Sequence, residues 1–277
     1  MTFIVTLIAL LLERFFDWSH LRRWHWFAAY QRAIMQRIPG KMPNLVLAGT
    51  IIPLLLAIVL MQYLLQNVLF GFAELLFQLL VFVYCLGQQN LWADTFASIN
   101  AFMQGNTQLG VDKLKTSLGV TETGPSLHQQ FLSSIFVQAN RRVFAVVFWF
   151  VILGPVGALL YRTIALSAVE SSKQEMSPEV VQAARSAQAV LDWMPVRLFT
   201  LFFALGGHFA KVLTYWRKKA AWGLDMNDKL LVECGIAALG DSDENIAQDG
   251  SAEKSAIGLL DRAFVITLVV IAALVLL

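Results

Sequence analysis

The chain has 277 residues, of which 57% are hydrophobic and only 14% are charged, and its formal net charge is +2. Soluble domains carry roughly 25% charged residues, so this composition argues against a soluble protein. The small net charge also argues against nucleic acid as a partner, because nucleic-acid-binding domains concentrate basic residues. Cys85 and Cys234 have no Cys-x-x-Cys partner and no nearby histidine, so we predict no disulfide, no metal site and no cofactor.

The apolar residues are concentrated in blocks, which predicts an all-α, polytopic membrane protein with four to five spans. A helix needs about 20 apolar residues to cross the bilayer. Residues 1–12 are apolar but too few for a span, so we expect a short N-terminal helix that is partly inserted or packed on other helices. The membrane segments that we predict are residues 45–65, 68–86, 143–161, 194–210 (the weakest, since it is short and carries Arg197) and 263–277.

Two of these segments contain residues that interrupt helices, so we expect broken or re-entrant helices. Gly154-Pro155-Val156-Gly157 lies within 143–161, where proline removes a backbone donor and glycine permits close approach. Pro195 suits the first turn of a helix, so the segment 194–210 should begin there. Ser177-Pro178-Glu179 is typical of another helix start.

The distribution of basic residues orients the bundle, which we treat as one membrane domain over residues 1–277. Residues 13–43 hold six arginines and lysines, whereas the turn at Gln66–Asn67 holds none, so the former should be cytoplasmic and the latter periplasmic. The polar segments 87–142 and 211–262 are expected in the cytoplasm.

Three polar stretches carry more specific expectations. Residues 21–38 predict a basic amphipathic helix, either lying in the headgroup plane or packed as a surface helix. The glycines over residues 105–125 predict an irregular connection. Residues 240–255 are acidic and polar and predict a solvated linker.

Four residues are candidates for ligand binding, while the catalytic motifs that we searched for are absent and catalytic residues are unknown. Arg162 and Arg197 adjoin the interrupted segments, and paired arginines suit phosphate or carboxylate, although both could simply snorkel. Glu74 is an acid within an apolar run, either facing the bundle interior or reaching the interface from a helix end. His208 follows two glycines, and a structural role is its alternative.

Two separated stretches resemble signatures of the CobD/CbiB family of cobalamin-biosynthesis membrane proteins. They are FWFVILGPVGALLYR at 148–162 and LDWMPVRLFTLFFAL at 191–205. The remainder is similar to the regulatory AmpE branch of that family, through Leu12-Glu13-Arg14, the LDW-x-PVRL wording, His208 after a glycine and an apolar C-terminal helix. The chain departs from the synthase branch in lacking a His-Pro near its start, and in having Gln-Ala-Asn-Arg-Arg at 138–142 where acids are expected.

The resemblance implies a multi-pass protein of the inner membrane of a Gram-negative bacterium, linked to β-lactamase induction and cell-wall sensing. Its expected partners are the lipid bilayer and an anionic or cell-wall-derived small molecule, and a homo-oligomer is left open. A first alternative is a membrane amide-forming ligase or transferase, as in the synthase branch, which joins an amino-alcohol phosphate to a corrinoid carboxylate. A second is a transporter, because transporters also have broken helices and intramembrane charge.

Overall fold

A computed structural model of the chain describes residues 5–9, 24–37, 42–66, 71–86, 91–104, 107–118, 127–169, 177–219, 223–240 and 251–276. Within these ranges the regular structure is entirely helical, which confirms the predicted fold class. The hairpin tip at Asn67, residues 10–23, and residues 241–250 of the predicted linker lie outside the described residues.

The helices follow one another with short connections. Residues 5–9 are helical, a 3-10 turn spans Leu224–Met226, and a π-helical turn spans Asn140–Phe144. The longer helices are α1 (His25–Arg37), α2 (Pro43–Leu65), α3 (Phe72–Cys85), α4 (Leu91–Met103), α5 (Thr107–Leu118), α6 (Leu127–Ala139), α7 (Ala145–Leu153), α8 (Pro155–Ala168), α9 (Pro178–Gly206), α10 (Phe209–Lys219), α11 (Asn227–Leu239) and α12 (Ser251–Leu276).

Four helical stretches of the described chain are long and apolar enough to cross a membrane. They are Pro43–Leu65, Leu127–Leu153, Pro178–Gly206 and Ser251–Leu274, and α3 is a shorter apolar helix. Only 22% of the apolar window of Pro43–Leu65 is buried within the protein, against 56% for Leu127–Leu153. The helix α2 (Pro43–Leu65) therefore presents most of its apolar surface outward, as a lipid-facing helix does.

The predicted segment 143–161 is divided between two helices. One continuous helix runs from Leu127 through the π-helical turn to Leu153, so this span begins well before Val143. The chain breaks at Gly154, whose φ of +66° and ψ of −153° belong to a region used almost only by glycine. Pro155 then opens α8 with its fixed φ and without an N–H to satisfy. A break at these residues was expected within one membrane segment, whereas in the structure it separates the helix Leu127–Leu153 from α8.

The predicted start of the segment 194–210 at Pro195 is wrong. The helix α9 begins at Pro178, as the Ser177-Pro178-Glu179 pattern predicted, and runs to Gly206 with Pro195 in its interior. Polar residues in its first half disguised the continuity of this helix, although Val181 and Ala184 bury one face of it.

The polar segments contain more helix than we expected. Gly110 lies within α5 rather than in an irregular connection. A glycine is found there because a Cβ would overlap the ring of Phe102. Ser251–Ser255 form the first turns of α12 instead of a solvated linker, and Glu253 among them is fully buried.

The chain divides into two compact units, and we describe each by itself. Unit 1 comprises Met1–Gln88 and Ala145–Leu191. Its core joins α2, α8 and α9 through Leu47, Ile51, Ile164, Ala168 and Ala184. Phe27 of α1 and Trp24 just before it are buried, and the ring of Trp24 lies tilted against that of Tyr84 of α3 with ring centroids 4.7 Å apart.

Unit 2 comprises Gln89–Phe144 and Asp192–Leu277. Its core is aromatic, and Phe144 and Phe199 stack with their ring centroids 4.0 Å apart. Phe203 extends this stack to Phe136 of α6, and Phe264 of α12 contacts Phe199. These rings hold the π-helical turn against the second half of α9, which is where the polar side chains of this unit converge.

Candidate functional site

The π-helical turn Asn140–Phe144 interrupts an otherwise regular long helix. A π-helical turn accommodates an extra residue and disturbs the backbone hydrogen-bond ladder, and such turns occur often at functional sites. Val143 and Phe144 of this turn are buried in the aromatic core, whereas Asn140 and Arg141 meet polar partners. The turn therefore packs into the core through Val143 and Phe144 and forms polar contacts through Asn140 and Arg141.

Four polar side chains of unit 2 form two buried hydrogen-bonded pairs, each with one member on α9. They are Asn140, Asp192, Arg197 and Asn227, with exposed fractions of 1%, 3%, 8% and 4%. Asn140 Nδ2 donates to Asp192 Oδ1 at 3.1 Å. Arg197 Nη1 donates to the carbonyl of Trp193 at 2.8 Å and to Asn227 Oδ1 at 3.0 Å. We call these four residues the Arg197 cluster.

Trp193 completes the surroundings of the Arg197 guanidinium. The guanidinium carbon lies 4.1 Å from the centroid of the indole ring, an arrangement in which the cation is attracted by the π face. The ring itself is partly exposed, so one edge of the cluster lies near the protein surface. Trp193 thus shields the charge from water while leaving it close to the outside.

An ion pair lies beside the cluster. Arg141 Nη2 contacts Asp228 Oδ2 at 2.6 Å, and both side chains are partly exposed. Arg142, on the same π-helical turn, donates from Nε to Gln138 Oε1 at 2.9 Å. Arg141 and Arg142 therefore place two more guanidinium groups on the turn that holds Asn140, and Arg141 is paired with Asp228. Guanidinium groups bind carboxylate and phosphate in a bidentate manner, so the arrangement suits a small anion.

A hydrogen bond joins the two signature stretches. Pro195 has no N–H, so the carbonyl of Leu191 four residues earlier loses its helical partner. In the structure Trp149 Nε1 of α7 donates to that carbonyl at 3.1 Å. Trp149 of the first stretch thus gives the Leu191 carbonyl the hydrogen bond that Pro195 of the second stretch cannot donate.

The structure distributes the four candidate residues over both units. Arg162 is buried on α8 of unit 1. Glu74 lies in the first turn of α3 of unit 1 and accepts a hydrogen bond from Gln78 at 3.0 Å, which places it at a helix end. Arg197 and His208 both belong to unit 2.

His208 occupies the junction between α9 and α10 rather than the Arg197 cluster. Its backbone N–H donates to the carbonyl of Ala238 at 3.0 Å, and its exposed ring lies against Gly240, where a Cβ would overlap it. These contacts fasten the start of α10 to the end of α11.

Sequence reasoning missed the other three members of the Arg197 cluster. Asp192 lies in the quoted LDWMPVRL stretch, and Asn140 lies where acids are expected in the synthase branch, so a signal for both existed. Asn227 had none, because the helix start that holds it is far away in the chain. A buried pair elsewhere in unit 2, His128 Nδ1 to Glu253 Oε1 at 2.6 Å, was missed for the same reason.

Comparison with known proteins gives one family-level match. The family model described as "Regulatory signalling modulator protein AmpE" matches residues 1–277. The cobalamin biosynthesis protein CobD of Chromobacterium violaceum is 27% identical over 250 residues, covering 84% of this chain and 78% of that protein. The protein AmpE of Shigella flexneri is 26% identical over 226 residues, covering 78% of each. No solved structure matches the chain.

Proposed function

The chain belongs to the AmpE family of regulatory signalling modulators and is a multi-pass membrane protein, and from this membership we propose that it modulates β-lactamase induction. In this proposal it acts from the inner membrane of a Gram-negative bacterium and responds to an anionic, cell-wall-derived molecule. The observation that carries the ligand part of the proposal is the buried guanidinium of Arg197, held by Asn227 and by the face of Trp193.

A buried cation of this kind is costly to maintain without partners. Here two acceptors and an aromatic face offset that cost, and they also fix the direction of the guanidinium plane. A fixed planar donor recognises a carboxylate or phosphate better than a mobile one, because less entropy is lost on binding. The ligand would reach it past the partly exposed side chains of Trp193, Arg141 and Asp228.

Binding at this position would couple the ligand to the arrangement of α9 and α11. An anion that accepts hydrogen bonds from Arg197 competes with Asn227, the first residue of α11. A ligand shifts an equilibrium between two states by its difference in affinity for them. In the proposed mechanism, the state in which Arg197 releases Asn227 is the one that the anion favours.

Complementation tests this function directly. A strain lacking the protein would be treated with a sub-lethal β-lactam, and β-lactamase activity measured after complementation with wild type, Arg197→Ala or Arg185→Gln at matched membrane levels. Arg185 is a suitable control because it also lies on α9, but it is exposed and donates from Nε to the backbone carbonyl of Ala168 at 3.2 Å. We expect wild type and Arg185→Gln to restore induction and Arg197→Ala to fail. Unchanged induction in the deletion strain would contradict the proposal.

An amide-forming enzyme is the second candidate, and the similarity to CobD over 84% of the chain favours it. Among the described residues, no three acidic, cysteine or histidine side chains group as a metal site, so we derive no metal-dependent step. The test is ATP-dependent consumption of an amino-alcohol phosphate by the purified protein with added magnesium. Turnover that is lost in Arg197→Ala would replace the regulatory proposal.

A further inference from the structure

The helix α10 carries an unbalanced charge. Its sequence, Phe-Ala-Lys-Val-Leu-Thr-Tyr-Trp-Arg-Lys-Lys, holds four basic residues and no acidic one. A run of like charge on a helix is usually just a solvated face, and the sequence alone supports no more than that. The packing and position of α10 give it a more specific meaning.

One side of α10 is fastened to the protein and another is not. Val212 is fully buried, and the helix packs along α11. In contrast, Phe209 and Tyr215 are 52% and 43% exposed, so aromatic surface remains uncovered at the start and in the middle of the helix. A helix with exposed aromatic residues and a strongly basic side is typical of one that lies in the membrane interface.

The cations on the free side are available to a partner. Arg217 and Lys218 are exposed and form no ion pair with any described residue. Lys211, by comparison, donates from Nζ to the carbonyl of Gly240 at 2.5 Å. The charge of Arg217 and Lys218 therefore has no counterpart within the described part of the chain.

The connection to α9 keeps the start of α10 close to the end of a candidate span. Only Gly207 and His208 separate α10 from Gly206, the last residue of a candidate span. Gly207 allows this tight passage, because a Cβ there would overlap the carbonyl of Ala238. A helix that starts within two residues of a span end begins at headgroup depth, where anionic lipids attract basic side chains.

We propose that α10 is a docking surface for anionic phospholipid headgroups, which Arg217 and Lys218 bind while Phe209 and Tyr215 rest in the interface. The interaction is independent of the proposed regulatory function and of the Arg197 cluster. It fixes the end of α9 and the adjoining start of α11 relative to the membrane surface.

Lipid-selective quenching in nanodiscs tests this inference on the full-length protein. A fluorophore would be attached at Ala210→Cys, an exposed position on α10, while the native Cys85 and Cys234 are fully buried. The nanodiscs would contain an equimolar mixture of phosphatidylglycerol and phosphatidylcholine, with the quencher on one lipid or on the other. We expect stronger quenching by labelled phosphatidylglycerol, and we expect added salt to reduce the difference.

Charge reversal distinguishes a specific surface from general attraction. The double variant Arg217→Glu/Lys218→Glu should lose most of the preference for phosphatidylglycerol, at about fivefold per cation removed. The matched control Lys115→Glu/Lys254→Glu changes two exposed lysines of unit 2 by the same charge, and this variant should keep the preference for phosphatidylglycerol. Should charge reversal impair folding, Arg217→Gln/Lys218→Gln provides the same test with a smaller change. Equal quenching by the two lipids in wild type, or equal loss in both charge-reversal variants, would overturn the inference.

Discussion

At the residue scale, the stability of the Arg197 cluster depends on groups that the chain brings from three helical elements. Asn140 comes from the π-helical turn, Asp192 and Arg197 from α9, and Asn227 from the start of α11. Removing one partner of a buried charge leaves that charge unsatisfied, which costs more than the bond itself contributed. Each member should therefore be sensitive to truncation even where it never touches a ligand.

Asn227 gives the clearest prediction at this scale. Truncation in Asn227→Ala removes one of the two acceptors of Arg197 Nη1, so we expect a loss of about 1.5–3 kcal/mol in the free energy of unfolding. Asn227→Asp keeps an acceptor and should retain most of that stability. Unfolding of the purified protein in mild detergent measures both. Equal loss in the two variants would show that the amide contributes by its shape rather than by accepting this bond.

At the scale of elements, the hydrogen bond from Trp149 to the Leu191 carbonyl compensates for the proline inside α9. A double-mutant cycle tests this relation. Trp149→Phe should cost about 1–3 kcal/mol, because it leaves the carbonyl of Leu191 without a partner. In a Pro195→Ala background a backbone N–H can take that role, so the same Trp149 substitution should cost less. If Trp149→Phe lowered the free energy of unfolding equally in the wild-type and Pro195→Ala backgrounds, the compensation would be contradicted.

The junction between α7 and α8 depends on a second close contact. A Cβ at Gly157 would overlap the carbonyl of Trp149, so Gly157→Ala should force the two helices apart and lower the unfolding temperature. Gly258→Ala on α12 is the matched control, because nothing lies within 4 Å of its added Cβ. Since alanine favours helix over glycine by up to about 1 kcal/mol, this control should be neutral or stabilising. If the two variants had similar unfolding temperatures, the close contact between Gly157 and the Trp149 carbonyl would be contradicted.

The elements show what could be predicted from the sequence and what could not. Apolar run length predicted α2 and α3 closely, since both have few polar residues. It failed for α9, because the buried face of its first half alternates with polar residues such as Arg185 and Gln182. The Arg197 cluster depends on contacts between distant parts of the chain, so the sequence singled out Arg197 and the stretches that contain Asp192 and Asn140 but not their pairing.

At the scale of the whole molecule, helix length and charge determine which parts lie outside the bilayer. The 29 residues of α9 span about 43 Å, more than the roughly 30 Å hydrocarbon core. The polar first turns of α9 therefore extend beyond the core. The basic residues of α10 then begin directly after its other end.

Cysteine accessibility tests the predicted orientation. A membrane-impermeant maleimide should label Gln66→Cys at the end of α2 in intact cells, because this turn is expected to be periplasmic. Lys115→Cys and Lys254→Cys, in the segments expected to be cytoplasmic, should react only after the inner membrane is disrupted. All three positions are exposed in the structure. Labelling of Lys115→Cys in intact cells would reverse the orientation of that part of the chain.

The central claim is that the Arg197 cluster binds an anion, and calorimetric titration of the purified full-length protein tests it most directly. Inorganic phosphate and N-acetylmuramic acid would be titrated into wild type, Arg197→Ala and Arg185→Gln in neutral detergent. We predict saturable binding of at least one probe to wild type and to Arg185→Gln. In Arg197→Ala we predict a loss of about tenfold or more in affinity, as expected for a charged hydrogen bond. Equal affinity in wild type and Arg197→Ala, or no binding of either anion to wild type, would contradict the claim.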